Sequence, residues 1–300
     1  MGITRNCVKF LSYAKTKGVS YEKTIMLGRQ TLFVADDEMK EVLSKFNISF
    51  QSQFFKATTE HFAEPLFRVL GANVIDSLDY SNFENASILA DLNEPIPASL
   101  QSKYTAVFDG GTLEHVFNFP QAIKNCMDML HVGGHFVSIT PTNNQCGHGF
   151  YQFSPELFFS LFTYRHGFKL HLVAMGAELH DVGITEWYVV KDPQHVKQRV
   201  TLINSSPTYL MIIAEKIAVT NDVILRPMQS DYQLVWEVFN SIENNIPREK
   251  ESKLIYYYRK YTPKIVKGIV RNLIGRTVRK QVNIEGFGKV NSDYFRKIEL

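Results

Sequence analysis

The sequence is poor in cysteine, and its three thiols, Cys7, Cys126 and Cys146, are far apart in a chain of 300 residues. Three scattered cysteines indicate neither a disulfide framework nor a zinc site, and a reducing cytoplasm is the simplest expectation. No unbroken apolar run reaches about 18 residues, so we expect no membrane-spanning helix. The first ten residues also lack the long apolar core of a secretion signal.

Several common catalytic motifs are missing as well. The chain contains no GxxxxGK[ST] phosphate loop, no HExxH helix, no GxSxG elbow and no complete GxGxxG loop. These absences argue against a P-loop nucleotidase, a zinc protease and an α/β-hydrolase.

Basic and acidic residues are nearly balanced over the whole chain, but they are unevenly distributed along it. The chain has 33 Lys and Arg against 30 Asp and Glu, a net charge of +3. From Ile246 onward, fourteen basic residues face only five acidic ones, so the first 245 residues are net acidic. No recognition motif accompanies this basic tail, and we therefore expect no nucleic-acid partner.

Residues 104–140 predict a strand, a loop, a helix and a second strand. An apolar run with β-branched residues over 105–108 ends at Asp109, where two glycines indicate a change of chain direction. Pro120 opens a helical pattern that Gly133-Gly134 ends, and an alternating pattern follows. Such a unit is parallel and right-handed, which implies a sheet covered by helices.

This stretch resembles the second half of class I methyltransferases, which use S-adenosylmethionine. The likeness lies in the segment Leu113-Glu114-His115-Val116, the helix, and the Gly133-Gly134 turn, and it extends over roughly Lys23 to Ile217. It implies a doubly wound, mostly parallel α/β sheet of seven strands, closed by an antiparallel strand. We therefore predict three regions: an N-terminal helix in residues 1–22, a methyltransferase-like domain in 23–220, and a helical, basic extension in 221–300.

The first core strand, Thr24–Leu27, leads into Gly28-Arg29-Gln30. The family has a glycine-rich loop here, because the backbone passes close under the cofactor. The resemblance assigns Gly28 and Arg29 to the cofactor site. The residues after Gly28 are larger than the family pattern, and this departure favours a non-catalytic alternative.

The ends of three further strands complete the implied cofactor site. Asp79 follows the second strand, where a carboxylate matches the ribose diol; a turn residue that bonds its own backbone is the alternative. The resemblance places Asp91 and Leu92 at the adenine, and local capping by Asp91 is the alternative. The last implied residues end the central strand: Asp109, Gly110 and Gly111.

Two histidines are candidates for a general base, for which an imidazole is suited near neutral pH. His115 follows the central strand, and a structural role is an equal alternative for it. His148 is preferred because its glycine neighbours leave it accessible. Glu114 completes the predicted catalytic group. Some quinone methyltransferases bind magnesium through a Glu three residues before the Glu-His pair; that position is Gly111 here, so we predict no metal.

A polar loop, residues 141–149, follows the Gly-Gly strand at the sheet edge where open α/β sheets bind ligands. Its Asn143, Asn144 and Gln145 are suited to a polyhydroxylated ligand. We therefore predict a methyltransferase enzyme that acts on a small or glycan-like acceptor, in surface polysaccharide biosynthesis. The alternative is a non-catalytic methyltransferase-like domain that binds a partner, a membrane, another nucleotide or a sugar-phosphate, with Arg29 contacting the phosphate.

Residues 264–280 combine an apolar stripe with flanking Lys and Arg. A basic amphipathic helix of this kind binds anionic membrane surfaces. The sequence therefore predicts a cytoplasmic protein with peripheral contact to the inner face of the membrane. Packing of this segment against the domain or a partner is the alternative.

Overall fold

The computed structural model describes residues 2–55, 62–179, 183–184, 186–196, 200–220, 227–230, 232–233, 236, 281–291 and 293–298. The strands are β1 (Gly2–Ile3), β2 (Lys23–Leu27), β3 (Thr31–Leu32), β4 (Val74–Asp79), β5 (Ile88–Leu89), β6 (Tyr104–Asp109), β7 (Leu130–Asn143), β8 (Phe168–Leu179), β9 (Gly183–Ile184), β10 (Tyr188–Val190), β11 (Leu202–Ile203), β12 (Thr208–Lys216), β13 (Gln281–Ile284), β14 (Gly288–Asn291) and β15 (Phe295–Lys297). The α-helices are α1 (Arg5–Thr16), α2 (Asp36–Lys45), α3 (Glu64–Val69), α4 (Phe119–Met129), α5 (Pro155–Leu161) and α6 (Pro193–Val196).

The central sheet follows the order β5-β4-β2-β6-β7-β12-β8, and β10 and β15 extend it beyond β8. The first five strands in this order, β5, β4, β2, β6 and β7, are parallel to one another. Strand β12 runs antiparallel to both of its neighbours, β7 and β8. One buried layer includes residues of α4 and α5, and the other includes residues of α1, α2 and α3. The predicted fold class, a doubly wound sheet of parallel strands closed by an antiparallel strand, is confirmed for the first seven of these strands. Strands β9, β10 and β15 add to them by antiparallel pairing, so the described sheet has ten strands rather than seven.

Strand β6 lies at the centre of the sheet because both of its faces are apolar. All six of its residues are buried. Val107 packs into one of the two layers, whereas Ala106 and Phe108 pack into the other. A continuous apolar run is typical of a parallel strand that is covered on both sides, and this strand delivers Asp109 to the edge of the sheet.

Helix α4 ends earlier than the sequence predicts. Its last residue is Met129, and β7 already begins at Leu130, which pairs with Tyr104. The pairing then skips residues 131–134, so the two glycines lie in a bulge rather than at the helix end. A Cβ on Gly134 would lie 2.8 Å from the Tyr104 carbonyl oxygen. The glycine pair therefore allows the bulge to approach β6 closely.

Helix α1 lies within the segment 1–22 that the sequence assigns to an N-terminal helix, and its side chains of Val8, Leu11 and Ala14 are buried. Helix α1 packs in the same layer as α2 and α3, so it covers one face of the sheet. Trp187 also belongs to this layer, where its ring meets Phe10 edge-on with centroids 5.8 Å apart.

The described part of the C-terminal extension is helical at residues 230, 232, 233 and 236, whereas from residue 281 onward it contains strands that the sequence did not predict. Strands β13 and β14 form a hairpin that pairs with β11, and β15 pairs with β10 at the end of the central sheet. Local charge and apolar spacing did not indicate these strands, because β14 and β15 pair with β11 and β10, which lie far away in sequence. The basic segment 264–280 lies outside the described residues. None of the helices that are described is long and apolar enough to span a bilayer.

Candidate functional site

A pocket of about 450 Å³ lies at the carboxyl edge of the parallel strands. Open α/β sheets bind their ligands at this edge. The lining includes five residues that the sequence assigns to the site: Gly28, Asp79, Asp91, Leu92 and His115. The structure therefore brings together residues from the ends of β2, β4, β5 and β6.

Gly28 ends β2 in a conformation that favours glycine, with φ +67°. Its N–H donates to the Leu78 carbonyl oxygen at 2.8 Å. A Cβ at this position would lie 3.2 Å from Thr112 Oγ1, and that hydroxyl donates to the Leu27 carbonyl oxygen. The chain is thus held tightly between β4 and the loop after β6, which explains why this one glycine is present.

Arg29 does not line the pocket. Its Nε donates to Glu64 Oε1 at 2.7 Å, and its Nη1 donates to the Glu84 carbonyl oxygen at 3.0 Å. The guanidinium also lies over the Phe62 ring, 3.9 Å from the centroid. The predicted contact between Arg29 and cofactor or phosphate is therefore not supported by its position, because these groups hold the side chain elsewhere.

Gln30 fills the space beneath this loop. It is buried, and its Nε2 donates to the Leu27 carbonyl oxygen at 2.6 Å. Its Oε1 is also buried and has no hydrogen-bond partner among the residues that the structure describes. A Cβ on Gly110 would lie 3.0 Å from that oxygen, so Gly110 makes room for the glutamine rather than lining the pocket.

The two acidic residues of the pocket each use one oxygen in a local turn. Asp79 Oδ1 accepts from the Ser81 N–H at 3.0 Å. Asp91 Oδ1 accepts from the Asn93 N–H at 2.8 Å and from its side-chain amide at 2.7 Å. The alternatives given by the sequence, a turn contact for Asp79 and local capping by Asp91, are therefore both present. These contacts hold the two carboxylates at the pocket wall.

Asp109 supports the pocket from below. Its buried carboxylate accepts from the Thr112 N–H at 2.8 Å, the Leu113 N–H at 3.2 Å and the Ser138 hydroxyl at 2.8 Å. These bonds fix the short 3₁₀ turn Leu113–His115. Burial raises the pKa of the Asp109 carboxyl. Asp109, Gly110 and Gly111 are absent from the lining of the described pocket.

The loop after β7 is held against Glu114 by backbone contacts. The Phe150 N–H donates to the Glu114 carbonyl oxygen at 2.7 Å. Gly149 has φ +73°, and a Cβ there would lie 2.8 Å from that same oxygen. This close approach brings His148 Nε2 to 3.6 Å from Glu114 Oε1. The His148 and His115 rings lie 5.1 Å apart, so the three predicted catalytic residues form one cluster.

Glu114 is the buried member of this cluster. Its Oε2 accepts from the Thr140 hydroxyl at 3.3 Å, whereas Oε1 has no hydrogen-bond partner among the described residues. Burial, and then the Asp109 carboxylate, raise the pKa of Glu114 to about 8. Burial and nearby His148 lower the pKa of His115. The ligand atoms of these three residues lie within 4.8 Å of one another and could hold a metal ion, whereas the sequence predicts none.

The amide donors of the polar loop are already used within the protein. The Asn143 and Asn144 side-chain amides donate to Asn204 Oδ1 at 3.0 and 2.6 Å. The Gln145 amide donates to the Thr208 carbonyl oxygen at 3.1 Å. These bonds attach the loop to the turn before β12, so the groups predicted to bind a polyhydroxylated ligand have a structural role.

Sequence reasoning missed several residues of the pocket lining. Three of them directly follow residues that were assigned: Tyr80, Asn93 and Val116. Their positions just after strand ends could have indicated that they line the pocket. Thr112 also follows an assigned residue, Gly111, but its contact with the Leu27 carbonyl oxygen depends on a partner 85 residues away and had no local signal.

A second pocket, of about 480 Å³, lies at the far edge of the central sheet. Tyr188 and Phe287 stack there with ring centroids 4.4 Å apart, and Lys297 pairs with Glu186. Its lining contains none of the residues assigned to the site from the sequence.

No protein-family model and no curated protein matches this chain. Solved structures of methyltransferases do align with it. TehB from Haemophilus influenzae is 16% identical, with a TM-score of 0.35, over 68% of this chain and 61% of TehB. A 1,6-didemethyltoxoflavin-N1-methyltransferase from Burkholderia thailandensis, solved with S-adenosylhomocysteine, is 8% identical, with a TM-score of 0.35, over 70% of this chain and 78% of that one.

A 16S rRNA (adenine(1408)-N(1))-methyltransferase from Catenulisporales acidiphilia is 11% identical, with a TM-score of 0.32, over 74% of this chain and 95% of that one. The acceptors named for these proteins range from a small heterocycle to ribosomal RNA. At these identities and TM-scores, the likeness carries no argument about what this chain binds or methylates.

Proposed function

We propose that this protein is a methyltransferase that uses S-adenosylmethionine. The observation that carries the proposal is the single pocket shared by Gly28, Asp79, Asp91, Leu92 and His115 at the carboxyl edge of the sheet. Its volume of about 450 Å³ is within the roughly 300–1,000 Å³ of small-molecule sites.

The residues of the pocket fit the parts of this cofactor. Asp79 offers a carboxylate at the end of β4, where a ribose diol would be bound. Leu92 is buried and Asp91 stands beside it, which suits the flat face and the amino group of an adenine. Gly28 has no side chain to obstruct the space between β2 and β4. These four residues would hold the nucleoside.

The cofactor would supply an electrophilic methyl group, and methyl transfer is then largely a matter of positioning. A hydroxyl or amine acceptor must also lose a proton. His148 is the residue we assign to accept it at Nδ1, because the ring is partly exposed and its Nε2 faces Glu114. Glu114 Oε1 lies 3.6 Å from Nε2, and this carboxyl group, protonated near neutral pH, would orient the ring through Nε2–H without adding a negative charge.

The acceptor would enter on the side of His148, where two aromatic rings are exposed. Phe117 and Phe150 are 75% and 68% exposed and meet edge-on, with centroids 6.1 Å apart. Such rings pack against the apolar faces of sugars and small heterocycles. A small or glycan-like acceptor in surface polysaccharide biosynthesis therefore remains our proposal, and it now rests on these rings. Cytoplasmic location, membrane contact through 264–280 and the lack of a nucleic-acid partner stay predictions.

Calorimetric titration with S-adenosylmethionine and S-adenosylhomocysteine tests the proposal. We expect wild-type protein to bind both, and Asp79→Ala to bind them roughly 10–100-fold more weakly, since hydrogen bonds to a charged group contribute about 1.5–3 kcal/mol. Asp37→Ala is the matched control, because Asp37 is an exposed carboxylate in the first turn of α2. Equal binding by Asp79→Ala would contradict the ribose assignment.

Gln30 favours a second candidate, a non-catalytic domain with the methyltransferase fold. Its buried side chain occupies the region beneath Gly28 where the family pattern has glycines. The alternative in which Arg29 binds the phosphate of another ligand is not supported, because the Arg29 guanidinium is paired with Glu64. Failure of the folded wild-type protein to bind either titrant would favour this non-catalytic candidate.

A further inference from the structure

A second cluster of two histidines and one glutamate lies toward the opposite, amino edge of the parallel strands. It consists of His135 in β7, His171 in β8 and Glu215 in β12. His135 pairs with Ala106, which in turn pairs with Thr24 near the start of β2. The candidate active site lies at the other end of these same strands.

The three side chains come from neighbouring strands. Glu215 is the direct register partner of His135. On the other side of β12, Ile213 pairs with Leu172 and Ala214 with Leu170, so His171 is one extra residue in β8. A bulge of this kind re-aims a side chain and is common next to functional sites. Here it accompanies a 2.8 Å contact between His171 Nε2 and Glu215 Oε2.

His135 is the buried member of the cluster. It is only 7% exposed, and its Nδ1 is buried without a hydrogen-bond partner among the described residues. A buried polar group without a partner is uncommon and requires an explanation, and a bound ion is one such explanation. The His135 and His171 rings lie 5.8 Å apart, and the ligand atoms of all three residues are within 4.8 Å of one another.

We propose that His135, His171 and Glu215 bind a zinc ion. Two imidazoles and one carboxylate, with water in the fourth position, are an established zinc ligand set. Magnesium is less suited, because it prefers oxygen ligands. The ion would replace the contact between His171 and Glu215, and it would give the buried His135 imidazole a partner.

Zinc binding would require the side chains to rotate. A tetrahedral zinc with bonds of about 2.1 Å needs donor atoms roughly 3.4 Å apart. The 2.8 Å contact between His171 and Glu215 is shorter than this, and the three ligand atoms lie within 4.8 Å of one another. Because β7, β12 and β8 each contribute a ligand, the ion would cross-link three strands. Its effect is therefore expected on stability rather than on methyl transfer.

Titration of the tag-free full chain with Co²⁺, followed by competition with Zn²⁺, tests the site. We expect one equivalent of Co²⁺ to give the visible absorption of a four-coordinate site, Zn²⁺ to displace it, and bound Zn²⁺ to raise the Tm. Glu215→Gln and His171→Gln should each weaken binding at least ~10-fold, as even outer-shell changes at metal sites often do. Both positions are at the rim, which favours correct folding of the variants.

Two histidine variants serve as matched controls. His195 also pairs with a carboxylate, Asp192 at 3.3 Å, but its side chain is 85% exposed, so His195→Gln should bind Co²⁺ like wild type. His148→Gln should do the same, because it alters only the cluster at the carboxyl edge. The proposal is wrong if wild type gives no four-coordinate spectrum, or if His148→Gln removes the spectrum while His171→Gln keeps it.

Discussion

Two clusters with the same composition occupy opposite ends of one sheet, and they differ in which member is buried. At the carboxyl edge, Glu114 is fully buried while the His148 side chain is 42% exposed. At the amino edge, Glu215 is 28% exposed and His135 is the buried residue. Burial favours the neutral form of either group. It therefore raises the pKa of Glu114 and lowers the pKa of His135.

The comparison shows that residue types alone do not determine the chemistry of such a cluster. A protonated glutamate beside a solvent-accessible imidazole is suited to moving a proton from a substrate. A buried imidazole that favours its neutral form, beside a partly exposed carboxylate, is suited to a metal ion, because histidine binds metals in its neutral form.

The largest effect is expected for His148→Ala. Loss of a general base lowers methyl transfer by roughly 10²–10⁴-fold, whereas binding of S-adenosylhomocysteine should remain, because His148 does not line the cofactor pocket. Transfer of a radiolabelled methyl group from S-adenosylmethionine to small-molecule extracts of the source cells measures the rate. His171→Ala, at the other end of the sheet, is the control and should keep wild-type activity. An equal fall of the methyl-transfer rate in both variants would contradict the assignment of the general base to the carboxyl-edge cluster.

Glu114→Gln should change how stability depends on pH. Because the folded-state pKa is raised to about 8 from an ordinary 4.5, the native protein binds more protons than the unfolded chain between these values. Wild-type stability therefore falls as the pH rises from about 5 to 8. At about 1.4 kcal/mol per pKa unit, the loss is roughly a few kcal/mol.

The glutamine variant cannot ionise, so its urea-unfolding free energy should vary less over this range, and its advantage over wild type should be greatest at pH 8. Parallel curves for the two proteins would mean that Glu114 ionises normally in the folded state. The proposed difference in protonation between the Glu114 cluster and the His135 cluster would then be wrong.

Gly149→Ala should produce the smallest of the three effects. The positive φ and the 2.8 Å approach to the Glu114 carbonyl oxygen both disfavour a side chain, and such strain costs about 1–3 kcal/mol. Thermal unfolding measures this loss. Gly147→Ala is the matched control, because a Cβ there meets nothing within 4 Å. Equal Tm values for the two variants would contradict the tight attachment of the loop to Glu114.

The sequence predicts the sheet and five residues of the pocket at its carboxyl edge, because both depend on local signals. Apolar runs predict the parallel strands, and polar residues at their ends, such as Asp79 and Asp91, converge because parallel strands end at one edge. Arg29 is a different case, since its partner Glu64 lies 35 residues away. No local pattern indicates that this ion pair turns the side chain away from the pocket.

The amino-edge cluster could not be predicted from local patterns at all. It depends on the register between β7 and β12 and on one extra residue in β8. The cluster combines residues that are far apart in the chain, namely His135, His171 and Glu215. The local sequence around each of them indicates only a strand. The same limitation applies to the polar loop, where Asn204 engages the amides that local reasoning assigned to a substrate.

Hydrogen-exchange mass spectrometry of the wild-type protein with saturating S-adenosylhomocysteine shows where on the sheet the cofactor binds. We expect added protection at the carboxyl edge, in the segments that contain Gly28, Asp79 to Asn93, and Thr112 to Val116. Peptides that contain His135 and His171 should exchange as before, because they lie toward the other end of the sheet. The absence of protection in the pocket segments, or protection confined to the amino edge, would contradict a cofactor site between β2, β4 and β6.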